Sequence, residues 1–437
     1  MNSATVRSTS ETTSDPSAVV SEESPSRRLV AAAVAGNALE FYDFFTYAFF
    51  AVYIGKTFFP SSSPLTSLLL SVAVFGVGFV TRPVGAILIG LYADRAGRKP
   101  AMLLTIALVT VGTLGLVVCP GYDSIGLAAP VIVVLCRLVQ GLALGGEIGP
   151  ATSFLVEMAP SRHRGLVGSW QLASQGLAML AGGLVGTLLS KLLSPEALQS
   201  WGWRAAFALG LLIIPVAMYL RRAMPDTHVP AARSKAAGSR YRLLAQNARL
   251  IVIASFTLMS PSVTVYVVLY MTTYAIATLK MAPAIAMAAT VVSGLVTLLA
   301  SLLGGWLSDR VGRKPVMIIP RILLLLVAYP AFMLLVDQKS YLALLGVTGV
   351  LALLNSISAA AALVAVPELL PREVRATGMS IAYTVGGTLF GGATQFAITW
   401  MIGATGDPTS PAWLLAATAL ITLLALWMMP EGKGKQL

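Results

Sequence analysis

Histidine and cysteine are almost missing from this chain. His163 and His228 are the only histidines, and Cys119 and Cys136 the only cysteines, among 437 residues. Neither pair has metal-ligand spacing, so no zinc or haem site is expected, and no disulfide framework. Charge is scarce as well. Asp, Glu, Lys and Arg make up 11% of the chain, against about 25% in an average soluble domain, which excludes a water-exposed globule. No serine, threonine or cysteine in an apolar stretch has a base beside it. A catalytic nucleophile is therefore not expected, and the chain reads as a non-enzyme that needs no cofactor.

What is abundant is apolar sequence, 57% of all residues. It falls into runs of roughly 20 residues, each long enough to cross a hydrocarbon core about 30 Å thick. Twelve such runs follow one another from 29–55 to 411–429, and they predict an all-α membrane protein of twelve transmembrane helices, numbered here as spans 1 to 12. The expected layout is a cytoplasmic tail over 1–28, a six-helix bundle over 29–221, a linker over 222–247, a second bundle over 248–429 and a tail over 430–437. Residues 1–28 are rich in Ser, Thr and Glu and carry no apolar h-region, so they read as a disordered tail rather than a signal peptide.

The net charge of +12 raises the question of nucleic acid. Its placement answers it. Most of the 30 Lys and Arg fall in alternate connections, such as Arg95 to Lys99, Arg221 to Arg249 and Arg310 to Lys314. That is the positive-inside bias, which predicts both termini in the cytoplasm and the bilayer, not nucleic acid, as the partner.

The chain is also doubled. Asp94-Arg-Ala-Gly-Arg-Lys-Pro100 recurs as Asp309-Arg-Val-Gly-Arg-Lys-Pro315, close to half a chain length further on, and Glu157, Pro160 and Arg164 are echoed by Glu368, Pro371 and Arg375. Two similar halves made of membrane spans are the mark of an internally repeated transporter. Gly97 and Gly312 permit tight turns, Pro100 and Pro315 suit the first turn of the next helix, and Asp94, Arg98, Asp309 and Arg313 can form a charged gate.

Ionisable groups inside spans cost about 2.5–3.5 kcal/mol on insertion scales, so each calls for a reason. Span 1 holds Asn37, Glu40, Asp43 and Tyr47 at steps of three, three and four, which predicts one stripe lining a cavity between the halves. Glu40, Asp43 and, in span 4, Glu147 are the candidate proton carriers. Arg82 lies about 18 Å along its helix from Asp94, near mid-membrane, and Arg137 is also deep. Two buried guanidiniums suit a multiply charged carboxylate, because the planar fork binds carboxylates bidentately. The competing role for Arg82 is permanent pairing with Asp43 or Glu147. Gln171 and Gln175 in span 5, Tyr270 and Tyr274 in span 7, and Asn355 in span 10 are further candidates to contact substrate. Arg321, six residues past Pro315, is expected to snorkel to the surface.

Twelve spans in paired halves with the doubled loop resemble the major facilitator superfamily. Within it, Gly36-Asn-Ala-Leu-Glu-Phe-Tyr-Asp-Phe-Phe, Arg82-Pro-Val-Gly and Arg137-Leu-Val-Gln-Gly-Leu-Ala-Leu-Gly-Gly-Glu are similar to the metabolite–proton symporters. Pro120 to Pro130, Ser169 to Gln175 and Thr405 to Pro411 look like the citrate–proton branch. The resemblance implies two pseudo-symmetric six-helix bundles and proton-coupled uptake of citrate or a close tricarboxylate, with the Arg137-x-x-Gln140-Gly pattern associated with coupling. It also implies a monomer in a bacterial inner membrane. Sister branches carry 2-oxoglutarate, shikimate, proline or betaine, and sodium remains open as an alternative coupling ion. The short tails and the lack of a filter-like loop speak against a sensor and a channel.

Overall fold

The structure is a computed structural model that describes residues 27–96, 98–145, 152, 155–156, 159–160, 162–222, 237–371 and 374–430. Among these there is no strand, and all twelve expected segments are helical. Span 1 comprises Arg27–Phe49 and Ala51–Phe58, and span 2 comprises Pro64–Val80 and Arg82–Ala96. Spans 3 to 6 are Arg98–Val118, Ala128–Gly145, Arg164–Leu192 and Trp203–Arg222. Spans 7 to 10 are Ala248–Ala277, Pro283–Val311, Arg313–Gln338 and Tyr341–Leu369. Span 11 joins Arg375–Tyr383 to Phe390–Thr405 through a π-helical stretch, Thr384–Leu389, and span 12 is Ser410–Met428.

Among the described residues, eight of these helices are by themselves long and apolar enough to cross a membrane. Span 11 is divided by its π turn. The linker is not featureless, since Ala237–Gln246 forms a helix within it.

Breaks and turns follow from particular residues. Pro83 has no N–H for the carbonyl four residues back, and span 2 is interrupted at Thr81 just before it. Arg82 is thereby placed at a break, beside span 4. Spans 2 and 4 touch backbone to backbone there: a side chain on Gly85 would strike Leu142, and one on Gly145 would strike the Arg82 carbonyl. Gly312 has φ 115°, a value that favours glycine, and it turns the chain from span 8 into span 9 in one residue. Gly97, its counterpart, lies outside the described residues.

The halves meet along spans 5 and 8. Gly165 faces Gly305, Gly176 faces Gly294 and Leu298, and Gly183 faces Thr290 and Val291, each too close for a Cβ. Gly168 of span 5 also packs on Val364 of span 10, and the halves meet again towards the end opposite the duplicated loops. There Thr273 Oγ1 donates to the Ala48 carbonyl at 3.1 Å, and Gly76 of span 2 packs on Gly392 of span 11. Gly176→Leu drives a branched side chain into the backbone of span 8. Overpacking of this kind typically costs about 1–3 kcal/mol or more, so the variant should melt measurably below the parent in detergent, by differential scanning fluorimetry.

Candidate functional site

On the duplicated-loop side of the Gly76–Gly392 contact lies a small cleft lined by Arg82, Leu144, Gly145, Ser380, Tyr383, Thr384 and Thr388. Its walls come from spans 2 and 4 of one half and span 11 of the other. Arg82 is 3% exposed. Its guanidinium stacks over Phe79 at 4.0 Å and Phe44 at 4.7 Å, within an aromatic group completed by Phe75 and Tyr266. Among the described residues, none of its three nitrogens has a hydrogen-bond acceptor. Ring faces soften the burial of a cation but do not satisfy its N–H groups. The arrangement holds a charged planar fork at a cleft wall, with its donors unspent.

Permanent pairing of Arg82 with Asp43 does not occur, because Asp43 turns the other way. Thr113 Oγ1 donates to Asp43 Oδ1 at 2.8 Å, and Gln140 Nε2 donates to Oδ2 at 2.7 Å. Gln140 Oε1 in turn accepts from Arg137 Nη1, while Arg137 Nη1 and Asp43 Oδ2 stand 3.9 Å apart. Gln140 thus sits as a wedge between the two charges. Arg137 also lies 4.0 Å from the Tyr47 ring centroid, and its Nη2 has no acceptor among the described residues. Asp43, Thr113, Gln140 and Arg137 form one buried network linking spans 1, 3 and 4. Glu147 lies outside the described residues.

The span 1 stripe is split rather than continuous. Steps of three turn back by about 60° each on an α-helix, so Asn37 and Asp43 diverge by about 120°. Asn37 Nδ2 donates to Ser174 Oγ at 2.5 Å and to the Gln171 carbonyl at 3.3 Å, and Gln171 Nε2 donates to Asn37 Oδ1 at 3.1 Å. Asn37 and Gln171 are therefore each other's partners between spans 1 and 5, with Gln175 buried nearby on span 5. Glu40 is 7% exposed. Tyr47 donates its hydroxyl to the Ser71 carbonyl at 3.2 Å, which fixes the ring under Arg137.

Tyr270 and Tyr274, the candidates in span 7, do not join the aromatic group around Arg82. Tyr266 is the one that packs on Phe44, Phe75 and Phe79. Steps of four drift by about 40°, so the later two turn away. The Tyr270 hydroxyl accepts from Thr399 Oγ1 at 2.8 Å, and that of Tyr274 donates to the Pro408 carbonyl at 2.7 Å, both within the second half. Arg321 does not snorkel. It is fully buried and donates to Ser260 Oγ at 3.0 Å, Thr264 Oγ1 at 3.3 Å and Asn355 Oδ1 at 3.1 Å. It lies about 9 Å beyond Pro315 along the helix, and three oxygens wait for it in the bundle core. Asn355 is thus held by Arg321 through its carbonyl oxygen.

A family model for sugar (and other) transporters matches residues 29–231 and, separately, 228–437. This chain belongs to that transporter family, within the major facilitator superfamily. It is 36% identical over 394 residues to a citrate-proton symporter of Klebsiella pneumoniae, covering 89% of this chain and 88% of the relative. It is 32% identical over 410 residues to the alpha-ketoglutarate permease of Escherichia coli (strain K12), covering 93% and 95%. Among solved structures, a D-xylose-proton symporter superposes with a TM-score of 0.76 at 20% identity, over 94% of this chain and 99% of the other. That likeness shows the twelve-helix fold.

In this transporter the second duplicated loop joins the halves. Asp309, at the end of span 8, accepts from the Gly165 N–H at 2.7 Å and the Leu166 N–H at 2.9 Å, free donors at the start of span 5. Arg313 donates to Asp309 at 2.8 Å and to both oxygens of Glu368 at 2.8 and 3.0 Å. The side chains of Asp94 and Arg98 in the first loop lie outside the described residues. Thr113 and the span 11 hydroxyls carried no sequence signal. A hydroxyl in an apolar helix looks the same whether it bonds its own backbone or a partner.

Proposed function

We propose that this transporter is a proton-driven importer of citrate or a closely related tricarboxylate, with both termini in the cytoplasm. The carrying observation is Arg82, buried at an inter-half cleft, with no acceptor for any of its three nitrogens among the described residues. A carboxylate offers two oxygens with about four acceptor sites, which is what that fork lacks. The similarity to a citrate-proton symporter supports the same solute. The cavity would be exposed alternately as the halves rock, with the Asp43 network carrying the proton. Uptake of labelled citrate into proteoliposomes, against 2-oxoglutarate, succinate, shikimate, tricarballylate and betaine, tests the reading. Citrate should accumulate under an inward proton gradient and cease to do so with a protonophore. Accumulation of betaine alone, or accumulation driven by sodium with pH balanced, would overturn it.

Asp309 supports a gating role in the same cycle. Its two bonds to span 5 must break for the duplicated-loop end to part. Asp309→Asn keeps one acceptor oxygen and loses the charge at the helix start, so turnover should fall severalfold or more while equilibrium citrate affinity changes less. Parental uptake rates in this variant would reduce the loop to a topology signal.

A further inference from the structure

Span 11 brings three hydroxyls, Ser380, Thr384 and Thr388, to the cleft wall that faces Arg82. They are four residues apart, and on a regular α-helix each such step drifts by about 40° around the axis. The π-helical stretch Thr384–Leu389 covers the second step. Its wider turn holds more residues, so the drift over that step runs backwards and Thr388 stays in line with Ser380. π turns inside α-helices recur at functional sites, and this one coincides with the segment opposite the unpartnered guanidinium.

Thr46, Thr264, Thr394, Thr399 and Thr418 each donate to the carbonyl four residues back, which satisfies a membrane hydroxyl at home. Among the described residues, Ser380, Thr384 and Thr388 make no side-chain hydrogen bond of this or any other kind. Three uncommitted hydroxyls from one half therefore face a buried, uncommitted cation from the other.

We propose that Ser380, Thr384 and Thr388 form the second wall of the substrate site and donate to a carboxylate of the solute held by Arg82. This rests on the reading of Arg82 as the substrate's anchor. The fork of Arg82 takes up two acceptor sites of a carboxylate, and hydroxyls across the cleft take the others. A hydroxyl also donates or accepts, so the wall suits a hydroxy acid as well as a plain carboxylate. Because span 2 and span 11 belong to different halves, the bound anion ties them together, which couples occupancy to the rocking of the halves.

The test is isothermal titration of citrate into the purified full-length protein. Thr384→Val with Thr388→Val keeps shape and removes two donors, and should weaken binding at least about tenfold. Thr384→Ser with Thr388→Ser restores the donors and should bind like the parent. Adding Arg82→Gln to the valine pair should cost less than the product of the separate losses, since both act on one carboxylate. Parental affinity in the valine pair, or an equal loss in the serine pair, overturns the proposal. If the valine pair does not fold, each single valine variant is compared with its serine counterpart on the same criterion. A parent that binds no carboxylate sinks the proposed function itself. A parent that binds citrate, an Arg82→Gln variant that does not, and an unchanged valine pair sink this wall alone.

Discussion

Arg82→Gln should weaken citrate binding at least about tenfold while leaving a folded protein. A charge-assisted hydrogen bond contributes about 1.5–3 kcal/mol, and about 1.4 kcal/mol is a factor of ten. The guanidinium has no acceptor to lose among the described residues, so its removal strands no carboxylate there. This separates a ligand anchor from a structural ion pair. Removing one member of a buried pair costs about 3–5 kcal/mol of stability, whereas Arg82→Gln gives up mainly the stacking on Phe44 and Phe79. Arg82→Lys should recover little, because a point charge does not reproduce the planar fork. Equilibrium binding on protein with a near-parental melting temperature decides the matter. Unchanged citrate affinity would remove Arg82 from the site.

Asp43→Asn should abolish accumulation of citrate against its gradient while exchange down a gradient continues. Asp43 is 6% exposed, and each carboxylate oxygen receives one hydrogen bond, from Thr113 and from Gln140. Arg137 balances its charge only at 3.9 Å, with Gln140 bonded to both. Protonating Asp43 removes the charge that holds Gln140 and Arg137 in this arrangement, which gives the proton a mechanical consequence. Asparagine fixes the uncharged form in nearly the same shape. The variant should therefore show no response of uptake to an imposed pH difference, and its counterflow rate should be flat across pH where the parent's is not. Continued proton-driven accumulation would move the coupling group to Glu40 or Glu147, to be tested by Glu40→Gln and Glu147→Gln in the same assay.

The fold was legible because its signals are long. Apolar runs report the bilayer directly, and the repeat of Asp94 to Pro100 at Asp309 to Pro315 reports the two halves without any structure. The turn at Gly312 was legible for a similar reason, since the residue type and the backbone angle are tied together. The site was legible only in part. Arg82 and Arg137 stood out because a buried charge is expensive wherever it points. What each charge faces is set by helix rotation, and there the reading by spacing failed. The span 1 residues looked like one stripe but serve different neighbours. Tyr270 and Tyr274 turn away from the interface that Tyr266 occupies, and Arg321 runs into the core instead of to the surface.

Sequence alone determined the class of molecule, the number of spans and the internal doubling. These depend on composition, length and repetition, all of which are properties of the chain itself. Tertiary structure decided which half owns each wall of the cleft, that Asp43 belongs to Arg137 through Gln140, and that Arg82 has no acceptor among the described residues. Those depend on the angle at which one helix presents its side chains to another. A drift of about 40° or 60° per step is enough to send neighbouring candidates to different partners.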